Sequence, residues 1–238
     1  MICLTFDTDW MSERALARFL DEFSLPGRAT FFCHQPYRCL QGAGHEICPH
    51  PTLSDLGRWR DEFAALVRRV NPGARGTRTH SCVFSHAIAV GLHEMQLEYV
   101  SQASALYEDG VRPFRHPWGI WELPIYYMDN MDFWTAPNWP ELCHEPFSPQ
   151  WIERAVQGSA LYVFDFHPVH VALNTRTPDD YRRMKDHVVS GDASPFDLAV
   201  AGRGARSYFT ELCVAMAAAG IGSVSCSDVV DALMTPAA

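Results

Sequence analysis

Asp7 and Asp9 stand one residue apart, directly after an apolar run that ends at Phe6. On an extended chain, residues two apart project to the same side. Two like charges held together repel, so such a pair implies a cation or a division of roles. A metal on one carboxylate leaves the other free as a general base. His50 and His80 are the imidazoles that, with one of these carboxylates, make a His-His-Asp set with a position left for water, as in a catalytic zinc site. Asp165 and His167 alternate along another apolar run. A carboxylate beside an imidazole fixes its tautomer and raises its basicity, which suits a general acid. Arg115 lies among Pro113, Phe114, His116 and Pro117. A guanidinium in that setting needs a carboxylate partner, and Asp7 suits it.

Competing chemistry is weaker. His45-Glu46 opens like a HExxH zinc motif, but the next histidine is His50, one position late and after Pro49, which rejects that reading. Cys48-Pro49-His50 and His80-Ser81-Cys82 are near mirror images and make possible a closed two-cysteine, two-histidine zinc site of structural type. It leaves Asp7, Asp9, Arg115 and His167 without a role and ranks second. His170 is read as structural, and His86, His93, His116 and His144 receive no role. The tryptophans and tyrosines between Phe114 and Trp151 are suitable platforms for a sugar, although each one alone is ordinary packing. The phosphate-binding loop, the GxSxG elbow and the dinucleotide fingerprint do not occur, so nucleotide and serine-hydrolase readings lack support.

These groups need a scaffold. At 238 residues and 47% hydrophobic, the chain can bury a core without disulfide or metal staples. Its composition excludes collagen-like, disordered and transmembrane classes. There are 28 acidic against 19 basic residues, a net charge of −9, which disfavours nucleic acid and anionic membranes as partners. The eight cysteines form no CxxC pair and the N-terminus has no leader pattern, so a cytoplasmic protein with reduced, mostly buried thiols is expected.

Apolar runs predict strands at 2–6, 29–33 and 160–166; a short strand is expected at 76–79, extended segments at 97–101, 111–115 and 120–125, and a last strand at 220–225. Amphipathic spacing predicts helices after the Ser12 cap, then over 53–70, 85–95, 179–188, 207–219 and 228–233. Residues 126–149 read as irregular with short helices, and 191–204 as a mobile loop. Strands alternating with helices mean parallel βαβ units in one domain spanning 1–238, either an α/β barrel or an open doubly wound sheet. In both, functional groups gather at the carboxyl ends of strands, which is where the residues above fall.

The chain resembles polysaccharide deacetylases of the NodB-homology type (carbohydrate esterase family four), and within them the WbmS-like branch linked to bacterial surface polysaccharide. Thr5-Phe6-Asp7-Thr8-Asp9-Trp10 is similar to the opening motif, and Ala29-Thr30-Phe31-Phe32 to the second-strand signature. Gly44-His45-Glu46-Ile47 leading to His50-Pro51 resembles the metal-histidine motif, Phe114-Arg115-His116-Pro117 the arginine motif, and Val163-Phe164-Asp165-Phe166-His167-Pro168 the motif of the acid histidine. The usual second metal histidine is replaced by Ser54, and the aspartates are one residue further apart than in the commonest form.

The resemblance implies a distorted (β/α) barrel of about seven strands. It implies a divalent metal, zinc first, held by Asp9, His50 and His80, with His80 taking the missing place. It implies Asp7 as base held ionised by Arg115, and His167 as acid with Asp165 orienting it. The implied reaction is metal-assisted removal of an acetyl or formyl group from an N-acylated sugar of a surface-polysaccharide precursor. A metal amidohydrolase acting on a non-sugar amide, and a non-enzymatic protein with the Cys/His zinc, are the alternatives.

Overall fold

The computed structural model describes residues 1–53, 55, 57–135, 145–190 and 193–235. Its centre is a parallel five-stranded sheet in the order β3-β2-β1-β9-β8, with β1 Ile2–Asp7, β2 Ala29–Cys33, β3 Glu46–Pro49, β8 Ile125–Met128 and β9 Tyr162–Phe166. A smaller sheet runs β4-β5-β7-β6, with β4 Gly76–Thr77, β5 Tyr99–Val100, β6 Phe114–Arg115 and β7 Trp121–Glu122. Only β6 in it is antiparallel, paired to β7. The sheets meet on both flanks. Thr77 Oγ1 donates to the Pro49 carbonyl at 2.8 Å, and Ser104 bridges to Ile125.

β7 and β8 are separated only by Leu123-Pro124, so one run of chain passes from the small sheet to the large one. Pro124 has no N–H for a ladder, which breaks the run there. Counted as one, β7 and β8 join β1, β2, β3, β4, β5 and β9 to give seven parallel runs around a distorted barrel.

Alternation sorts the strands into two faces. Ile2, Leu4 and Phe6 of β1 join Phe31, Phe164 and Phe166 in the outer core. This core is covered by helices α1 Glu13–Glu22, α5 Pro149–Gln157, α6 Pro168–Leu173 and α8 Ala205–Ala218. A second outer core lies under α2 Trp59–Val70 and α3 His86–Glu94. On the other face, Cys3, Phe32, Cys48, Tyr99, Leu123 and Val163 fill the barrel interior at its amino-terminal end, closed by Cys226, Val229 and Val230 of α9 Cys226–Met234. Above this apolar plug, toward the carboxyl ends, the inward positions become polar: Thr5, Asp7, Asp165 and Arg78, all buried.

Some expectations are corrected. The helix expected from residue 53 starts at Trp59, and Ser54 and Leu56 lie outside the described residues. The strand expected at 220–225 is reduced to single bridges at Ser223 and Val224. The span expected to be irregular from 126 holds most of β8, followed by α4 Asp129–Thr135. A bulge between Ile125 and Tyr127 puts Tyr126 and Tyr127 into the same outer core, so neither a helical nor a half-buried strand period shows. Helices α5 and α6 were not foreseen; each opens on a proline at its first position, where the missing N–H costs nothing. Helix α7 Pro178–Ser190 exceeds the expected 179–188, and the loop after it contains a 3₁₀ turn at Pro195–Leu198. Trp139, Cys143 and His144 lie outside the described residues.

Gly76 marks the tightest point of the barrel floor, since a Cβ there would fall 2.2 Å from the Tyr99 ring. Gly76→Ala is expected to destabilise the fold by about 1–3 kcal/mol through overpacking, read as a lowered urea midpoint at unchanged slope. An unchanged midpoint would show that the Tyr99 ring gives way freely.

Candidate metal and catalytic site

Arg78 follows β4 and is wholly buried inside the barrel. Its Nη1 donates to Asp165 Oδ1 at 2.5 Å, Thr5 Oγ1 at 2.9 Å and Asp7 Oδ1 at 3.0 Å. Nε donates to the Ser101 carbonyl and Nη2 to Ser101 Oγ, while the guanidinium lies 4.4 Å from the centre of the Phe32 ring. Burial works against its charge, but Asp165 and Asp7 outweigh burial and hold it protonated. One cation thus faces two buried carboxylates. Asp165 lies one layer deeper than Asp7, and burial pushes its carboxyl up to about 7 despite Arg78. Its Oδ2 has no hydrogen-bond partner among the described residues.

The expected partner of Asp7 is therefore corrected. Arg115 lies in the exposed β6, with its guanidinium 4.6 Å from the centre of the Trp121 ring. Arg78 takes the place expected for it. The signal was available: Arg78 precedes His80 by two in Arg78-Thr79-His80, so on an extended strand end both project to the same side.

Asp9, His50 and His80 are brought together, with one donor atom from each lying within 4.8 Å of the others. His50 follows β3, and His80 opens a turn after β4. The turn carries two successive non-glycine residues in the left-handed region, Ser81 at φ 58° and Cys82 at φ 51°, a strained geometry typical of functional sites. His80 Nδ1 lies 3.2 Å from Asp9 Oδ1, and His50 Nε2 lies 3.1 Å from Asp9 Oδ2 and 3.7 Å from Asp7 Oδ2. Burial opposes charge on Asp9, but the bonds to His50 and His80 hold its carboxyl far below the usual range. Burial likewise opposes charge on His50, and Asp7 and Asp9 overcome it and raise its basicity.

His50 Nδ1 lies 2.8 Å from the Arg78 carbonyl. A carbonyl only accepts, so Nδ1 carries the proton, and the neutral ring turns the Nε2 lone pair toward Asp9. Two lone pairs at 3.1 Å require a cation between them, a proton or a metal.

His167 follows β9. Its Nδ1 lies 2.8 Å from Asp129 Oδ1, and its backbone N–H donates to Asp129 Oδ2 at 2.9 Å. Asp129 starts α4 at the end of β8. Burial disfavours the imidazolium, yet Asp129 dominates and raises His167 to about 10. The expected orienter Asp165 is corrected to Asp129: Asp165 is committed to Arg78 and Thr5, and acts on His167 only through its charge. Asp129 escaped the sequence reading because it belongs to the stretch without period. His167 Nε2 faces the cluster, 4.0 Å from Asp9 Oδ2.

These groups line a cleft of about 310 Å³ at the carboxyl ends of the strands, with Cys82, Met128 and Met131 as its less polar wall. The mirrored cysteines do not complete a zinc site. Cys48 Sγ lies 3.2 Å from Tyr99 Oη in the barrel floor, and among the described residues the candidate metal-ligand clusters contain no cysteine. All seven described cysteines are free, four of them buried.

The fold is that of the polysaccharide deacetylases, a parallel barrel, here with carboxylates and imidazoles gathered at its strand ends. The chain belongs to the WbmS-like polysaccharide deacetylase family, whose model matches residues 4–185. Its fold is similar to that of a Bordetella bronchiseptica protein described as a polysaccharide deacetylase involved in O-antigen biosynthesis, at TM-score 0.69 and 21% identity over 90% of this chain and 89% of that one. It is also similar to a Mycobacterium smegmatis protein described as a polysaccharide deacetylase, at TM-score 0.53 and 18% identity over 100% and 92%. A 4-alpha-glucanotransferase from Thermococcus litoralis shares the barrel at TM-score 0.52 and 13% identity, over 98% of this chain but 38% of that one. A search of the curated proteins finds no match. Among the described residues no helix is long and apolar enough to cross a membrane.

Removing Arg78 leaves two buried carboxylates without a counter-ion. Arg78→Met is expected to destabilise the fold by about 3–5 kcal/mol in denaturant titration at neutral pH. Asp165→Asn should cost less. The carboxyl of Asp165 titrates near 7 in the fold against about 3.9 unfolded, so its burial costs nothing below the lower value and the full amount above the upper. Wild-type stability should fall between these pH values relative to Asp165→Asn. Parallel stability profiles would show that Asp165 is ionised throughout.

Proposed function

We propose that the chain is a metal-dependent hydrolase that removes an N-acyl group, acetyl or formyl, from an amino sugar of a surface-polysaccharide precursor. The observation that carries this reading is the pairing of Asp9 with two imidazoles at 3.1 and 3.2 Å, beside a second carboxylate, Asp7, held by Arg78. The donor set of one oxygen and two nitrogens suits zinc with a position left open. The Nδ1–H bond of His50 to the Arg78 carbonyl is the kind of outer contact that aims a ligand nitrogen. When bound, a divalent ion at Asp9, His50 and His80 supplies Lewis acidity toward the acyl carbonyl and the attacking water.

The remaining work falls to the protein. Asp7 accepts the proton of the attacking water on Oδ2, because Oδ1 is occupied by Arg78. Arg78 fixes the plane of the Asp7 carboxylate. His167, protonated through Asp129, donates from Nε2 to the departing nitrogen, and Asp129 holds the ring so that Nε2 points into the cleft. The family match and the O-antigen role described for the Bordetella relative support a sugar substrate. Free thiols at every described cysteine support a reducing, cytoplasmic setting, which suits a precursor better than a finished wall polymer.

His50→Ala and His80→Ala should each lower bound zinc markedly by elemental analysis after dialysis, whereas Asp7→Asn should keep the metal and lose a factor of roughly 10² to 10⁴ in turnover of an N-acetylated amino sugar. Full metal in His80→Ala would move the third ligand elsewhere, and an empty site in Asp7→Asn would make Asp7 a ligand.

Asp129 raises His167 to about 10, so the stability from their pairing is complete below about pH 6.5 and is lost as the pH rises toward about 10. In Asp129→Asn the basic limb of kcat/KM should therefore move to lower pH. His167→Ala should lose far more on an N-acyl amine than on an aryl ester, whose phenolate leaves without a proton. Equal losses on the two substrates would remove the acid role.

A further inference from the structure

The proposed reaction makes no use of His170, a buried imidazole one helical turn beyond His167 that is only 4% exposed. A smaller cavity of about 110 Å³ adjoins the catalytic cleft, and His170 lines it together with His167 and Asn130, which line the cleft as well. The Nδ1 of His170 pairs with Thr175 Oγ1 at 3.1 Å, and its Nε2 has no hydrogen-bond partner among the described residues. Burial pushes the ring down to about 4, so it is neutral and one nitrogen carries a lone pair. With Nδ1 donating to the threonine hydroxyl, that lone pair lies on Nε2. Such an outer contact is what aims a metal-binding imidazole. Asn130 Oδ1 is a second acceptor, buried without a partner among the described residues in the wall that the two cavities share. Unpaired buried polar atoms cost stability unless something completes them.

Both unpaired atoms give electron pairs, and carboxylates stand beside them. Asp129 is wholly buried, and Asp9 reaches the same cavity. Asp129 Oδ2 accepts one hydrogen bond, from the His167 backbone, and keeps a further lone pair. One donor atom each of Asp129, His167 and His170 lies within 4.8 Å of the others. Oxygen and nitrogen ligands at about 2.1 Å from a tetrahedral ion stand about 3.4 Å apart, so side-chain rotations of roughly 1 Å close the set. The cavity has room for an ion with about two water molecules.

We infer that Asp129, His167 and His170, with Asn130 Oδ1, form a second divalent-metal site, inhibitory and distinct from the one at Asp9, His50 and His80. An ion on either ring nitrogen of His167 replaces a proton there, and that proton passes to solvent. The imidazolium that protonates the departing nitrogen is then gone. Because a proton must leave, this site is the weaker of the two and fills second, so excess zinc stops the turnover that the first ion supports. The inhibition rests on the acid role proposed for His167; the binding does not.

The probe is zinc itself, followed by equilibrium dialysis of the full chain, with hydrolysis of an N-acetylated amino sugar measured at the same free zinc. Wild type should take up a second, weaker equivalent, and turnover should fall as it binds. His170→Phe, close in shape to the ring it replaces, should lose the second equivalent, keep the first, and keep its turnover in excess zinc. Asn130→Ala, which removes an unpaired oxygen, should weaken the second equivalent about tenfold and leave the first alone. His50→Ala should lose tight zinc and retain the weaker equivalent. Saturation of wild type at a single equivalent overturns the site and leaves water on the two unpaired atoms. An undiminished second equivalent in His170→Phe also overturns it and moves that zinc to surface histidines. Should His170→Phe not fold, unchanged affinity in Asn130→Ala overturns it instead. A second equivalent that leaves turnover intact overturns the inhibition and, with it, the acid role of His167. If wild type hydrolyses no N-acetylated sugar, dialysis still decides the site, and the proposed reaction falls alone.

Discussion

A guanidinium buried inside a barrel of seven parallel runs is the constraint on which the rest of this structure depends. Arg78 crosses the interior between the apolar plug and the open end, bonding Ser101 on one side and Thr5, Asp7 and Asp165 on the other. An isolated cation at that depth would be prohibitively costly, and so would either carboxylate. Each is tolerable because the others are there. The strand ends that carry them, β1, β4 and β9, are thereby locked to one another at the mouth of the barrel, where hydrophobic packing gives way to solvent.

Charge then alternates outward from this centre. Arg78 faces Asp7, Asp7 and Asp9 flank His50, Asp9 also meets His80, and beyond them Asp129 raises His167. Each carboxylate has a cationic or cation-binding neighbour, so the two aspartates of the opening motif differ in what surrounds them. Asp7 has one oxygen committed to arginine and the other toward the cleft. Asp9 has both oxygens turned to imidazoles. The first carboxylate is oriented by a guanidinium; the second meets two imidazoles. Chemically identical side chains two residues apart can divide their labour because the barrel interior begins at one and the loop begins at the other.

How far the sequence revealed this follows from distance along the chain. Asp7, Asp9 and His167 could be picked out because each falls just past an apolar run, His80 because it follows a short expected strand, and His50 because it lies in the loop after the second strand. The partners of these residues were harder. Choosing Arg115 for Asp7 relied on a motif with apolar neighbours, yet those neighbours belong to an edge hairpin whose arginine stacks outward on Trp121. Choosing Asp165 for His167 relied on strand alternation. Alternation correctly puts both side chains on the inner face but cannot say at which depth each one bonds. Asp129 lies in the span where a bulge between Ile125 and Tyr127 breaks the alternation of β8, so no period identified a strand and no strand end could be inferred. The weak strands β4, β5 and β7, two residues each, are held by the barrel rather than by their own propensity, and their boundaries are a tertiary property.

The departure at Ser54 has a consequence for how the site is built. With no histidine at that position, the second imidazole comes from His80, and it arrives on the same strand end as Arg78. Residues 78 and 80 are therefore coupled: the arginine that holds Asp7 and the histidine that meets Asp9 move with β4 or not at all. The Arg78 carbonyl ties in His50 as well, through its Nδ1. The two left-handed residues after His80 turn the chain away as soon as the imidazole is delivered, while Thr79 is pinned by Gln102 on the neighbouring strand end. One short strand end thus positions groups around both Asp7 and Asp9. Barrel integrity and site geometry are then a single cooperative property.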